Sequence, residues 1–327
     1  MAQEEFIPQL LNRNKKRNHP FGLTRRVKDV LAGRVMGVLS LFAALLVPLI
    51  AVILFTRARP IFSAKPLTEL LFSRTWHPIS GAFGFYPFIQ GTLWVTSISM
   101  ILAIPPSLLT AIYLSEYATP KVRAYIKPLI DLLAGVPSVV YGVWGMLTVV
   151  PFVGKFIAPL LTKTLGFIPL FQTDNPTGFS LLAGGLVLGV MVSPIIIAMS
   201  TEVFTAVPQG LREASLALGA TRWHTVKHVV ARRALPGIIA AVVLGFSRAF
   251  GETMAVLMVV GNVPQVPSSI FDPGYPLTAL IANNYGEMMS IPMYDSALLC
   301  AAFILLMVVL VFNLISRLVL LRLTRSI

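Results

Sequence analysis

Six apolar blocks, each long enough to cross a bilayer, govern what this chain can fold into: residues 35–56, 90–114, 128–150, 181–203, 236–260 and 296–320. A helical span of the hydrocarbon core needs roughly 20 mostly apolar residues. Lipid offers no partner to a free backbone N–H or C=O, so a lone segment of this length crosses as a helix. Charge is correspondingly scarce, at 12% of residues against about 25% in soluble domains. These features predict an all-α membrane protein with six transmembrane helices. Pro105-Pro106 and Pro137 predict kinks or breaks in the second and third blocks.

The formal charge of +13 would suit a nucleic-acid partner only if the basic residues were gathered on a soluble domain. They flank the apolar blocks instead, and no nucleic acid is expected. With the N-terminus inside, the internal segments carry 8, 3, 5 and 3 Lys and Arg, and the external ones 4, 2 and none. Basic residues stay on the cytoplasmic side, so both termini are predicted to be cytoplasmic. Residues 1–33, with Arg13, Lys15, Lys16, Arg17, Arg25, Arg26 and Lys28, read as a basic tail that meets anionic lipid through a short amphipathic helix. Residues 34–327 form the membrane domain. The first block ends in Phe55-Thr56-Arg57-Ala58-Arg59-Pro60, without a small-residue cleavage site, and reads as a retained anchor. Cys300, the single cysteine, excludes an internal disulfide and reads as a packing residue. The outward loops, with Trp76, Phe83, Phe85, Tyr86 and Tyr275, read as structured caps or docking surfaces.

The loop over 205–235 has its own pattern. Pro208 and Gly210 mark a turn, and 211–218 holds good helix formers. Leu211, Ala214, Ser215 and Leu218 then fall on one face. Gly219 fits the stop, where a left-handed residue is tolerated. A second short helix follows, with Trp223, Val226 and Val230 on one side. A surface helix with a narrow apolar stripe and a free carboxylate, Glu213, suits docking into another protein's groove. His224 and His228 lack a nearby Glu or Cys to complete a metal site, and none is expected.

Between Arg233 and Asp272 the only charged residues are Arg248 and Glu252. A charge at the centre of a span costs roughly 2.5–3.5 kcal/mol on insertion scales. Read as one continuous helix, the block places the two at i, i+4, where they pair. They form either a structural ion pair or a polar stripe along a water-filled route for an anion. The planar guanidinium fork of Arg248 matches phosphate oxygens, and Glu252 would neutralise it when the route is empty. In the third block, Gly135 and Pro137 weaken the helix while Ser138 and Tyr141 supply polar atoms. The segment is either a second wall for the anion or a site of close small-residue packing.

Two motifs carry a family resemblance. Glu213-Ala214-Ser215 followed by Gly219 resembles the Glu-Ala-Ala-x-x-x-Gly loop of ABC importer permeases. The segment from Leu244 to Val256, with Arg248-Ala249-Phe250-Gly251-Glu252-Thr253-Met254, is similar to that of PstC-type permeases of phosphate-specific ABC importers. Asp131–Gly145, Gly91-Thr92-Leu93, Tyr113-Leu114-x-Glu116 and Gly261-Asn262 extend the likeness, although Ser247 stands where that family commonly has Gly. The resemblance implies the type I ABC importer permease fold and alternating access for inorganic phosphate, with Arg248, Glu252, Ser138 and Tyr141 along the pathway. It implies that Glu213, Ala214, Ser215 and Gly219 couple to a cytoplasmic ATPase. The implied partners are a related PstA-type permease, a PstB-type ATPase dimer and a PstS-type phosphate-binding protein. No cofactor or catalytic residue is implied, and the chain lacks a Gly-x-x-x-x-Gly-Lys-Ser/Thr loop of its own. The alternatives are a permease for molybdate or sulfate, or a non-transporting scaffold.

Overall fold

The structure, a computed structural model, describes residues 21–173, 175, 177–287 and 291–325. The tail cluster Arg13, Lys15, Lys16 and Arg17 lies outside the described residues. The chain divides into two compact units, 1–53 and 54–327. Helix α1, Phe21–Ala64, runs through the boundary. The basic segment expected as a tail is therefore helical from Phe21 and continuous with the first span. All packing described below lies within residues 54–327.

After α1 come a short helix α2 (Leu67–Phe72) and a small antiparallel hairpin pairing Trp76 with Phe83 and His77 with Ala82. Helix α3 (Tyr86–Ile112) follows and ends in a π-helical turn, Tyr113–Tyr117. Next are α4 (Pro120–Ala134), the long helix α5 (Ser138–Leu165) and α6 (Leu181–Thr205). A surface helix α7 (Gln209–Ala217) leads into α8 (Arg222–Gly251). Two short helices, α9 (Met254–Leu257) and α10 (Leu277–Asn284), precede the last span, α11 (Tyr294–Arg325). Among the described residues, six helices are long and apolar enough to cross a membrane: α1, α3, α5, α6, α8 and α11.

Two of these depart from the apolar blocks. The third span is Ser138–Leu165 rather than 128–150, because Gly135-Val136-Pro137 separates it from α4. Helix α4, with Lys121, Arg123, Lys127 and Asp131, is instead amphipathic and packs beside α6. The fifth block is not one helix: α8 stops at Gly251, and Glu252 takes an extended conformation with φ −72° and ψ 130°. By contrast, α3 runs through Pro105 and Pro106 without interruption.

The centre of the fold is the pair α3 and α6, which run parallel. Val95 meets Gly184, Ser99 meets Gly189 and the Ser107 hydroxyl donates to the Ser193 carbonyl at 3.4 Å. Small residues allow this approach, as expected where apolar burial between spans gives no driving force and van der Waals fit must supply it. A Cβ at Gly189 would stand 3.2 Å from the Ser99 carbonyl oxygen. Pro194 frees a carbonyl in α6, and nearby the Ser193 hydroxyl bonds the Gly189 carbonyl at 2.7 Å.

At one end of this pair, Trp76 packs edge-on against Phe83 and Phe88, and Phe85 and Tyr294 close the cluster. Gly91 lets the backbone of Tyr275 lie against α3, where a Cβ would sit 3.1 Å from the Tyr275 carbonyl carbon. Cys300 is fully buried in this cluster, a packing residue as its sequence context suggests. At the other end, Ala111, Phe204, Val207, Val230 and Ala234 form a smaller core beneath α7. Replacing Gly185, whose missing side chain is occupied by Ile98, with Leu should destabilise the protein by about 1–3 kcal/mol through overpacking. Gly210→Ala, where nothing lies within 4 Å, should be neutral or stabilising. Thermal unfolding of the two purified variants in detergent checks the contrast.

Candidate functional site

Two helix breaks face each other across the packing of α5 and α9. The first is Gly135-Val136-Pro137, which leaves carbonyls of α4 without the usual amide partners. Tyr141, on the first turns of α5, reaches back and donates its hydroxyl to the Leu133 carbonyl at 2.8 Å. The second break is at Glu252-Thr253. Here the Glu252 carboxylate accepts the Ala255 amide at 3.2 Å and so caps α9, while Thr278 of α10 donates to the Glu252 carbonyl at 2.9 Å. Thr278 is itself placed by Thr92, whose hydroxyl accepts the neighbouring Leu277 amide at 2.9 Å. Gly142 brings the breaks together: a Cβ there would lie 2.7 Å from Met258 Sδ and 3.2 Å from Ala255 Cα.

The break at Glu252 corrects the expected pairing with Arg248. The i, i+4 relation requires an unbroken helix, and α8 ends one residue too soon. Among the described residues no carboxylate lies within 4 Å of Arg248, whose side chain is exposed in the single chain. Tyr141 is 7% exposed and its hydroxyl proton is committed to Leu133, so it braces the wall rather than offering a free donor. Ser138, at the start of α5, and Glu252, just after α8, are both half-buried. Ser247, next to Arg248, donates to Asn313 Oδ1 of α11 at 3.1 Å and so ties the last span to α8.

The second group of predicted residues sits on α7. Glu213 and Ala214 are exposed, as are Leu211 and Leu218, and α7 buries no residue at all. Ser215 faces inward instead, its hydroxyl 2.9 Å from that of Thr225. The helix ends in a Schellman turn: Gly219 has φ +80°, its amide bonds the Leu216 carbonyl at 2.9 Å, and the Ala220 amide bonds that of Ser215 at 3.3 Å. Thr221 caps α8 by accepting the His224 amide at 3.2 Å. The expected second short helix is thus the start of α8, with Val226 and Val230 buried and Trp223 exposed.

Beneath α7 lies a charged cluster that sequence reading left as a bare motif. Glu116, 8% exposed, receives Arg212 Nη2 at 2.6 Å and Arg212 Nε at 3.1 Å. The same guanidinium donates to the carbonyls of Val207 and Phe204 at 2.5 and 2.8 Å. Arg222 donates to the Glu116 carbonyl and lies over the Tyr117 ring at 4.8 Å. Arg123 donates to the carbonyls of Leu114 and Ser115 at 2.9 and 2.8 Å. Three arginines thereby occupy the partly negative carbonyl ends of α3 and α6, a favourable placement for cations. Removing one member of such a buried pair typically costs about 3–5 kcal/mol. The only signal in the sequence was Glu116 beside Tyr113-Leu114, since its partner lies 96 residues away.

The comparisons with known proteins place this body of interrupted membrane-spanning helices in a family. The chain belongs to the family of inner membrane components of binding-protein-dependent transport systems, whose model matches residues 107–326. Phosphate transport system permease protein PstC of Xylella fastidiosa is 40% identical over 261 residues, covering 79% of this chain and 80% of that protein. The probable PstC of Methanocaldococcus jannaschii is 33% identical over 264 residues, covering 78% and 84%. Among solved structures, the inward-facing MetNI methionine ABC transporter matches with a TM-score of 0.52 and 20% identity over 71% of this chain and 93% of that one. A bacterial ABC transporter involved in alginate import matches at 0.53 and 17%, over 91% and 99%. At such identities the likeness is one of fold, and that fold is the type I ABC importer permease. The chain is accordingly a multi-pass inner-membrane transporter subunit and not itself an enzyme.

Tyr141→Phe removes the shorter of two hydrogen bonds to the Leu133 carbonyl, leaving the Val136 amide at 3.3 Å. Loss of one such hydrogen bond costs about 0.5–1.5 kcal/mol, and the variant should unfold at a correspondingly lower temperature in detergent. An unchanged melting temperature would mean that the break needs no brace.

Proposed function

We propose that this chain is the PstC-type permease subunit of an ATP-driven importer that moves inorganic phosphate into the cytoplasm by alternating access. The observation that carries the reading is Arg248: a guanidinium in a membrane-spanning helix, without a carboxylate within 4 Å among the described residues. Such a charge is costly to keep in lipid unless it faces a partner, a cavity or a solute. An anion passing in a water-filled route is a partner that arrives and leaves. The names of the phosphate permeases most similar to this chain support phosphate as that anion.

In this reading Arg248 binds phosphate through charge-assisted hydrogen bonds. Glu252, held in place by the Ala255 amide and fixed by Thr278 on its carbonyl, sits close in sequence and presents negative charge. It accepts a hydrogen bond from a protonated phosphate, which sulfate does not offer near neutral pH. Ser138 and the Tyr141-braced turn form the opposite wall. The exposed face of α7, with Glu213 and Ala214, enters a cleft of a separate PstB-type ATPase, and Gly219 sets where that helix stops. Ser215 supports the same helix from within through Thr225. A PstA-type permease completes the pathway, and a PstS-type binding protein delivers the anion from outside. Both termini and α7 are cytoplasmic, following the distribution of Lys and Arg.

Uptake of radiolabelled phosphate into vesicles carrying the complete importer tests the function. Molybdate and sulfate in excess should leave it unchanged; competition by either oxyanion would replace phosphate as the substrate. Arg248→Gln should lower uptake by about a hundredfold or more, the scale of a lost buried charge partner, with the complex still assembling. Retained uptake in that variant would favour the scaffold. Glu213→Lys should strip the ATPase from the purified permease. A reporter enzyme active only outside the cytoplasm should be inactive when fused at Gly210.

A further inference from the structure

We infer that the Arg212–Glu116 ion pair is the joint through which movement of the docking helix α7 reaches span α3. The inference rests on the proposed role of α7 as the ATPase-docking helix and assigns a positioning role to two residues beneath it.

Helix α7 already follows α6 in the chain, so any push on it reaches α6 through residues 206–208. Nothing covalent links it to α3, whose end lies 96 residues earlier than Arg212. Arg212 supplies that link from the position just before the exposed Glu213. Its guanidinium is bidentate on the Glu116 carboxylate and also holds the Phe204 and Val207 carbonyls at the end of α6. One side chain therefore fastens α7 to both members of the central parallel pair. The pair is well shielded, with side chains 12% and 7% exposed, so water and salt compete with it poorly.

The receiving end is also stiffened. Arg123 and Arg222 bond the Leu114, Ser115 and Glu116 carbonyls, which keeps the π-helical turn 113–117 from unwinding when Glu116 is pulled. Arg222 belongs to the start of α8, the helix that bears Arg248. The cluster thus gathers the ends of α3, α6 and α8 under one docking helix. Such a construction moves three spans together and anchors a helix whose other residues are largely exposed. A pair that served only to stabilise would not need to sit next to the exposed docking residue.

The test uses the complete importer in proteoliposomes, with this chain, its second permease, the ATPase and the binding protein. The readouts are phosphate moved per ATP hydrolysed and ATPase retained on the purified permease. Glu116→Gln keeps shape and removes charge. It should retain the ATPase and continue to hydrolyse ATP, while phosphate per ATP falls by about tenfold, since the route to α3 is cut. In a Cys300→Ala background, Glu116→Cys with Arg212→Cys should be equally uncoupled, and a short bis-maleimide bridge between the two thiols should restore the ratio. An unchanged ratio in Glu116→Gln overturns the joint. So does a fall of uptake and hydrolysis in proportion with no recovery on bridging, because that is loss of folded complex. Retention of the ATPase by Glu213→Lys removes the docking reading itself, and the joint with it. Loss of retention there alongside an unchanged ratio in Glu116→Gln removes the joint alone.

Discussion

The structure depends on one constraint: inside a bilayer every backbone polar group must find its partner within the protein. An uninterrupted helix meets this automatically, so each interruption needs explicit repair. Both breaks at the candidate site are repaired by side chains. Tyr141 takes the Leu133 carbonyl; the Glu252 carboxylate takes the Ala255 amide, and Thr278 the Glu252 carbonyl. These repairs hold irregular backbone at a site where a transporter needs polar groups. They also separate the side chains: the Tyr141 hydroxyl is spent on the backbone, whereas Arg248 has no carboxylate within 4 Å among the described residues.

The same economy shapes the rest of the fold. Parallel spans α3 and α6 approach through Gly184, Gly185 and Gly189, so their contact is one of fit. Their carbonyl ends then emerge side by side, each with acceptors unmet by helix geometry. Three arginines meet those acceptors, and one carboxylate, Glu116, offsets part of the charge they bring. A helix-end requirement and the proposed attachment point thus coincide beneath α7.

Much of this was legible in the sequence. The apolar blocks located four of the six spans closely, and Gly219 marked the end of α7 because its backbone needs a left-handed conformation. The family pattern pointed to Arg248 and Glu252. What sequence could not supply was whatever depends on distant partners. Nothing between Arg248 and Glu252 signals a helix end except Gly251, and the extended Glu252 is held by Thr278, 26 residues later. The i, i+4 argument therefore failed for a tertiary reason. The inward turn of Ser215 depends on Thr225 across the α7–α8 corner, and the role of Glu116 on Arg212. The third span was displaced because Leu129, Leu132 and Leu133 of α4 are apolar enough to extend a hydropathy block yet lie outside the long helix.

The wide turns of the helices have a consequence for how the gene tolerates length changes. Segments Tyr113–Tyr117, Gly145–Val149, Val153–Ile157 and Val226–Val230 each hold a π-helical turn, one residue more than the α repeat requires. Deleting a residue in an ordinary helix rotates everything downstream by about 100° and shortens it by about 1.5 Å. Deleting one within a wide turn converts it to an α turn and leaves the flanking faces in phase. Outside the turn that carries Glu116, these places are where single-codon losses are absorbed most readily.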